Sequence, residues 1–180
     1  NACLLRKLHV IYLEPQFDSE NGYYTSVLQE TVDRALAAHP DARAAVITSP
    51  TYEGYVSNIK TDVPLLVDAA HGAHFGLSDF PSYPQGDIVI SSLHKTLPAL
   101  TQTAVANIFN AEFTPIFKFY LDMFETSSPS YVLMDSVDIC ADYVLSHSSD
   151  FDAFYKAVQA FRALPLKHLK LRETDDCSKL

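Results

Sequence analysis

At 180 residues and 48% hydrophobic content the chain carries enough apolar mass for one substantial core, which excludes general disorder. Its formal net charge of -9, from 22 acidic and 13 basic residues with no clustered Lys/Arg stripe, excludes the usual footprint of a nucleic-acid or anionic-membrane surface, so small molecules are the expected ligands. Cys3, Cys140 and Cys177 are odd in number and far apart without a Cys-x-x-Cys pair, which fits a reduced, cytoplasmic protein better than a disulfide framework.

The opening Asn1 to Lys7 lacks an initiator Met and reads as an internal stretch of a longer soluble protein. No apolar run approaches the roughly 20 residues that span a bilayer. His9 to Leu13 is a short apolar run closed by Glu14-Pro15, the pattern of a first strand and its exit turn. Asn21-Gly22 marks a turn. A helix is predicted from about Ser26 to His39: Ser26 and Gln29 match a capping box, Leu28, Val32, Ala35 and Leu36 form a stripe, and Pro40 ends it.

Three buried-strand runs follow. Ala44 to Thr48 ends in the polar loop Ser49 to Gly54; Val63 to Val67 ends in Asp68 to His74. Ile88 to Ser92, rich in β-branched residues after the turn-like Pro84-Gln85-Gly86, reads as a strand buried on both faces that stops in Leu93-His94-Lys95-Thr96. After Thr101 the pattern turns helical. Ile116, Phe117, Tyr120, Leu121 and Phe124 suit one helix, broken by Thr126 to Ser130, and Tyr131 to about His147 forms a second. Ser149 or Asp150 can cap a third, whose Phe151, Phe154, Val158 and Phe161 recur at helical spacing. Leu169 and Leu171 alternate with Lys170 and Arg172 as in a half-exposed strand. The closing Ser178-Lys179-Leu180 spells a peroxisomal address only at a natural C-terminus and is set aside.

This alternation predicts a single α/β domain with a mostly parallel sheet flanked by helices. In such a sheet the three polar clusters line one edge, where open α/β folds bind their ligands. A lysine at that rim is useful because desolvation or neighbouring charge lowers its pKa from about 10.4, giving an amine that forms a Schiff base with an aldehyde. Pyridoxal phosphate enzymes need such a lysine, an acid for the pyridinium nitrogen and donors for the phosphate; Lys95, Asp68, and Ser92 with His94 can fill those roles. An ordinary solvated lysine is the alternative at this point. His71 and His74 beside Asp68 invite a metal reading, but no His-Glu-x-x-His helix or cysteine pair supports it, and no metal is expected. Gly-x-Ser-x-Gly, P-loop and dinucleotide fingerprints are missing.

Four blocks together resemble the pyridoxal-phosphate-dependent ornithine/lysine/arginine decarboxylases of aspartate-aminotransferase fold type I: Ile47 to Gly54, Leu65 to Phe75, Ser91 to Thr103 and Thr126 to Met134. The resemblance covers nearly the whole chain, with Asp175 to Leu180 resembling a mid-protein segment. It implies a partial cofactor-binding major domain across residues 1–180 and decarboxylation of lysine, arginine or ornithine to a polyamine-pathway amine. Lys95 would carry the cofactor, Asp68 would pair with the pyridine nitrogen, and Ala70 would lie beneath the ring. Ser92 and His94 would contact the phosphate, and His71 would lie beside the ring. Thr126 would reach the phosphate of a neighbouring subunit's cofactor, which implies a homodimer or larger homo-oligomer with its site at the interface. His74, Thr51 and Tyr52 are read as loop structure.

The chain also departs from the family pattern. A His-Lys-Ser segment that contributes the ring-stacking imidazole belongs upstream of Asn1, and the C-terminal domain that helps to close the pocket is missing. Lys60-Thr61-Asp62 stands where members carry a helix, and the interval from His74 to Asp87 is short. Two alternatives therefore stand beside decarboxylation: a catalytically inactive fold-type I domain with an assembly or regulatory role, and another pyridoxal phosphate reaction such as transamination or a lyase step.

Overall fold

The computed structural model describes residues 2–179. Readings attached to Asn1 and Leu180, the first residue and the end of the terminal tripeptide, lie outside the described residues. A short helix α1 (Ala2–Leu5) leads to a two-stranded hairpin, β1 (Phe17–Asp18) and β2 (Tyr23–Tyr24), and to helix α2 (Gln29–Ala38). Then come β3 (Ala45–Thr48), β4 (Leu65–Asp68), β5 (Ile88–Ser92), the single-turn helix α3 (Leu93–Thr96) and β6 (Ala104–Ile108). Three helices close the described chain: α4 (Thr114–Phe124), α5 (Tyr131–Ser146) and α6 (Ser148–Arg162).

The main sheet has the order β3-β4-β5-β6. Its first three strands are parallel, with Val46 opposite Leu66, Thr48 opposite Asp68, and Asp68 opposite Ile90; β6 runs antiparallel to β5, with Ile90 opposite Ala106. The expected mostly parallel α/β sheet is what forms. Side chains alternate across it. On one face Ala45, Ile47, Val67 and Val89 pack with Val32 of α2 and Ile59 into the main core. On the other, Val46 is 64% and Ile90 43% exposed. The expectation that the Ile88 to Ser92 strand is buried on both faces holds at its start, where Ile88 and Val89 are buried on opposite faces, and is corrected at Ile90, which is exposed on the face of Ile88.

Other expectations also fail for physical reasons. His9 to Leu13 forms no strand: the stretch finds no partner edge, and Tyr12 stands exposed while Leu13 packs against the core. The capping box does not form. Gln29 instead places Nε2 on the Lys60 carbonyl at 2.7 Å and accepts from the Lys60 amide at 2.8 Å, satisfying the short helix-free connection between β3 and β4. Ser26 Oγ turns to Gln16 at 3.5 Å. Between Thr101 and the helices the chain inserts β6, hidden in the sequence because its Ala-Val-Ala-Asn-Ile is only weakly apolar. The third helix starts at Ser148 without a side-chain cap, Asp150 Oδ2 accepting instead from the Tyr143 hydroxyl at 2.7 Å. Leu169 and Leu171 lie in irregular chain.

Asp87 ties the sheet together at its N-terminal edge. Its Oδ2 accepts from the Leu65 amide and its Oδ1 from Asn110 Nδ2, both at 2.8 Å, while its own amide donates to the Leu65 carbonyl. The Leu65 amide, followed by Asn110, holds its carboxyl below the ordinary range. A depressed carboxyl contributes stability that is present above the unfolded value of about 3.9 and is lost as pH falls through the folded value. Chemical denaturation of Asp87→Asn is expected to show a lower midpoint than the parent at pH 7. The gap should narrow below about pH 4, whereas a pH-independent gap would contradict this role for the charge.

Candidate functional site

Parallel register brings the C-terminal ends of β3, β4 and β5 level, and each end opens into a loop held by its own hydrogen bonds. After β3, Thr51 and Tyr55 close a turn (2.9 Å) in which Gly54 has φ +96°, and buried Ser49 Oγ accepts from the Ser57 amide at 2.9 Å. After β4 the chain folds tightly, with the amides of Gly72 and Phe75 donating to the carbonyls of Ala69 and Gly72 at 2.8 and 3.0 Å. Gly72 is required by close approach, since a Cβ there would stand 2.6 Å from Pro50 Cδ in the neighbouring loop. After β5, the amide of Leu93 and Nδ1 of His94 both donate to the Thr103 carbonyl, at 3.1 and 2.9 Å. The Leu100 amide donates to Ser136 Oγ of α5 at 2.7 Å, tying the Lys95 loop to that helix.

The three loops meet around His71. Lys95 Nζ lies 3.4 Å from His71 Nε2, and the Tyr52 ring stands edge-on to the imidazole at 5.1 Å. For Lys95 to donate, Nε2 must offer a lone pair, which is the neutral ring with its proton on Nδ1. Burial, and next the charge of Lys95, push the His71 pKa down and favour that form; Lys179 acts in the same direction, and Asp68 and Glu53 oppose it. Asp68, exposed at the end of β4, accepts from the Ala70 amide on Oδ1 at 3.0 Å, leaving Oδ2 without a hydrogen-bond partner among the described residues. Among those residues Lys95 pairs with no carboxylate.

Asp68, Ala70, His71 and Lys95 thus share one rim, as the three-cluster reading expects. Ser92 is the N-cap of α3 with its hydroxyl uncommitted to the helix, directly before the lysine turn. His94 has spent Nδ1 on the Thr103 carbonyl, so Nε2 is the nitrogen free for a ligand, donating to an anion only in the doubly protonated ring. Thr126 lies apart, in the exposed α4–α5 connection, accepting from the Ser128 amide at 3.1 Å. His74 faces away from His71 toward Asp176, and no group of three His, Cys, Asp or Glu among the described residues is placed to hold a metal.

A primary amine with no carboxylate partner among the described residues, a carboxylate with a free oxygen, the small Ala70 beside it and uncommitted polar groups at the strand end fit the chemistry of an aldehyde-bearing pyridine phosphate. Hollows of about 440 and 430 Å³ lie along α2, and none of these rim residues lines them. Sequence reasoning took Tyr52 as plain loop, although it is the ring that walls His71, and it gave no role to Lys179. Tyr52 was findable as an aromatic in a strand-end cluster. Nothing in the sequence pointed to Lys179.

If Lys95 and His71 share a proton-bearing contact, Lys95→Met raises the His71 midpoint only part of the way to the ordinary value of about 6.5, because the burial remains. Imidazole NMR against pH measures this. An unchanged midpoint would show that the two groups do not sense each other.

Residues 1–167 match the family model described as Orn/Lys/Arg decarboxylase, major domain. The Bacillus subtilis protein called Uncharacterized protein YaaO is 40% identical over 151 residues, covering 74% of this chain and 31% of its own length. An arginine decarboxylase of the same organism is 34% identical over 142 residues, covering 72% and 29% respectively. The structure of the E. coli constitutive lysine decarboxylase superposes with a TM-score of 0.65 at 24% identity, over 84% of this chain and 25% of that one, a likeness of fold. The chain therefore spans about a third of the length of the curated relatives it matches.

Proposed function

The chain belongs to the Orn/Lys/Arg decarboxylase family, and on that footing we propose that it forms the cofactor-binding part of a pyridoxal-phosphate-dependent decarboxylase acting on lysine, arginine or ornithine. The observation that carries the reading is the meeting of Lys95 with His71 on the rim that also presents Asp68. When bound, pyridoxal phosphate supplies a ring that accepts the electron pair left behind as carbon dioxide departs.

The chain's own groups do the rest in this reading. Lys95 would hold the cofactor through its amine, and the neutral His71 beside it, accepting from Nζ, would orient that amine. Asp68, with one oxygen fixed by the Ala70 amide, would have the other to offer to the pyridine nitrogen and would hold a proton there. Ala70 leaves room beneath the ring. Ser92 and His94 serve the phosphate, and Thr126, remote from this rim, serves the phosphate in a neighbouring subunit of a homodimer or larger homo-oligomer. The substrate is a small molecule, one of these basic amino acids; no described helix is long and apolar enough to cross a membrane. The product is a polyamine-pathway amine, and the setting is cytoplasmic.

Incubation with pyridoxal phosphate, borohydride reduction and peptide mapping is expected to place the label on Lys95; a label on another lysine would overturn the assignment. In the assembled enzyme Lys95→Ala should abolish carbon dioxide release, and Asp68→Ala should lower it on the order of a hundredfold or more.

A further inference from the structure

The segment Asp175 to Lys179 begins 80 positions after Lys95 (175 − 95), yet it touches two of the three site loops. Its centre is Asp176, which is 0% exposed. Oδ1 is satisfied by the amide and hydroxyl of Ser178, at 3.0 and 2.7 Å. Oδ2 has no hydrogen bond among the described residues and lies 3.3 Å from Nε2 of His74, itself 4% exposed. The His74 ring is boxed edge-on by Phe75 and Phe80, at centroid distances of 4.9 and 4.8 Å, and Asp176 is the polar group that faces its Nε2. A buried carboxylate facing a buried imidazole is costly unless the two compensate each other, so moving either main chain away would leave Asp176 Oδ2 buried with no group facing it.

The same five residues reach the loop after β3. The Asp176 amide donates to the Gly54 carbonyl at 2.9 Å, and Asp175 Oδ2 accepts from the Val56 amide at 2.8 Å. A Cβ on Gly54 would stand 2.7 Å from Lys179 Cγ, so the lysine stem lies directly on that glycine. From behind, Arg162 of α6 donates to the carbonyls of Lys179 and Cys177 at 2.8 and 3.3 Å. Cys177 packs with Phe80 and Val158. One loop carries Tyr52, and the other carries His71 three residues before His74.

We propose that Asp176, acting through His74, is a positioning residue for the His71 and Lys95 pair, and that Asp175 to Lys179 is a clasp holding the Tyr52 and His71 loops together. The proposal rests on the preceding reading for what the pair does, but not for whether the clasp sets its geometry. The charged groups acting on His71 are Lys95, Lys179, Asp68 and Glu53, with the Tyr52 ring against it. All of them remain in Asp176→Asn and His74→Gln, so a change at His71 in those variants reports a change of position.

The test is imidazole NMR of His71 against pH in the whole chain, parent and both variants, with circular dichroism to confirm folding. In a folded variant the His71 midpoint should rise toward about 6.5 as burial and the Lys95 contact relax. A parental midpoint in a folded variant overturns the proposal, as does loss of folding in both, which would make the pair a core-stability element. If only one variant folds, that one decides. Pyridoxal phosphate labelling is run on the parent in parallel. Failure to label Lys95 there counts against the cofactor reading alone, because the His71 midpoint is read without cofactor.

Discussion

Everything at the candidate site depends on the register of three parallel strands. Thr48, Asp68 and Ile90 stand side by side across β3, β4 and β5, so the chain leaves the sheet at the same height three times. Because side chains alternate along a strand, a slip of one residue in β4 would exchange Asp68 with buried Val67 and carry the carboxylate to the core face. The hydrophobic contrast between Val67, packed in the core, and Asp68, exposed at the rim, is therefore what fixes the acid's position. Lys95 then needs only the single turn of α3 to come back over the rim.

Below the rim the polar groups are consumed by structure, and above it they are left free. Buried Ser91 meets the Tyr83 hydroxyl at 2.7 Å, and Asn107 of β6 donates to the same hydroxyl at 2.7 Å, which locks β5 to β6. One residue further on, Ser92 has no such partner within α3. The same change occurs between Ala69, fully buried, and Ala70, half-buried beside Asp68. Satisfied groups make a rigid floor, while one uncommitted Asp68 oxygen and the Lys95 amine, held only by His71, stand at the exposed rim.

Much of this was legible in the residues. The runs ending at Thr48, Val67 and Ser92 are apolar, β-branched and bounded by turn residues, so both the strands and their polar exits could be read. The convergence of Asp68, His71 and Lys95 followed from treating those exits as one edge. What could not be read was governed by partners distant in sequence. Gln29 abandoned its cap because the Lys60 backbone needed it, and His9 to Leu13 stayed unpaired because strand propensity supplies no neighbouring edge. Asp176 stands in a short polar stretch with no apolar periodicity to mark it; only the fold shows it buried against His74.

The central claim is that Lys95 and Asp68 address the same bound molecule from two different strand ends. A crystal structure of the chain grown with pyridoxal phosphate tests it most directly. The account predicts electron density continuous from Lys95 Nζ into the cofactor, with an Asp68 oxygen within hydrogen-bond distance of the pyridine nitrogen. Cofactor joined to another lysine, or joined to Lys95 with Asp68 turned away from the ring, would contradict it.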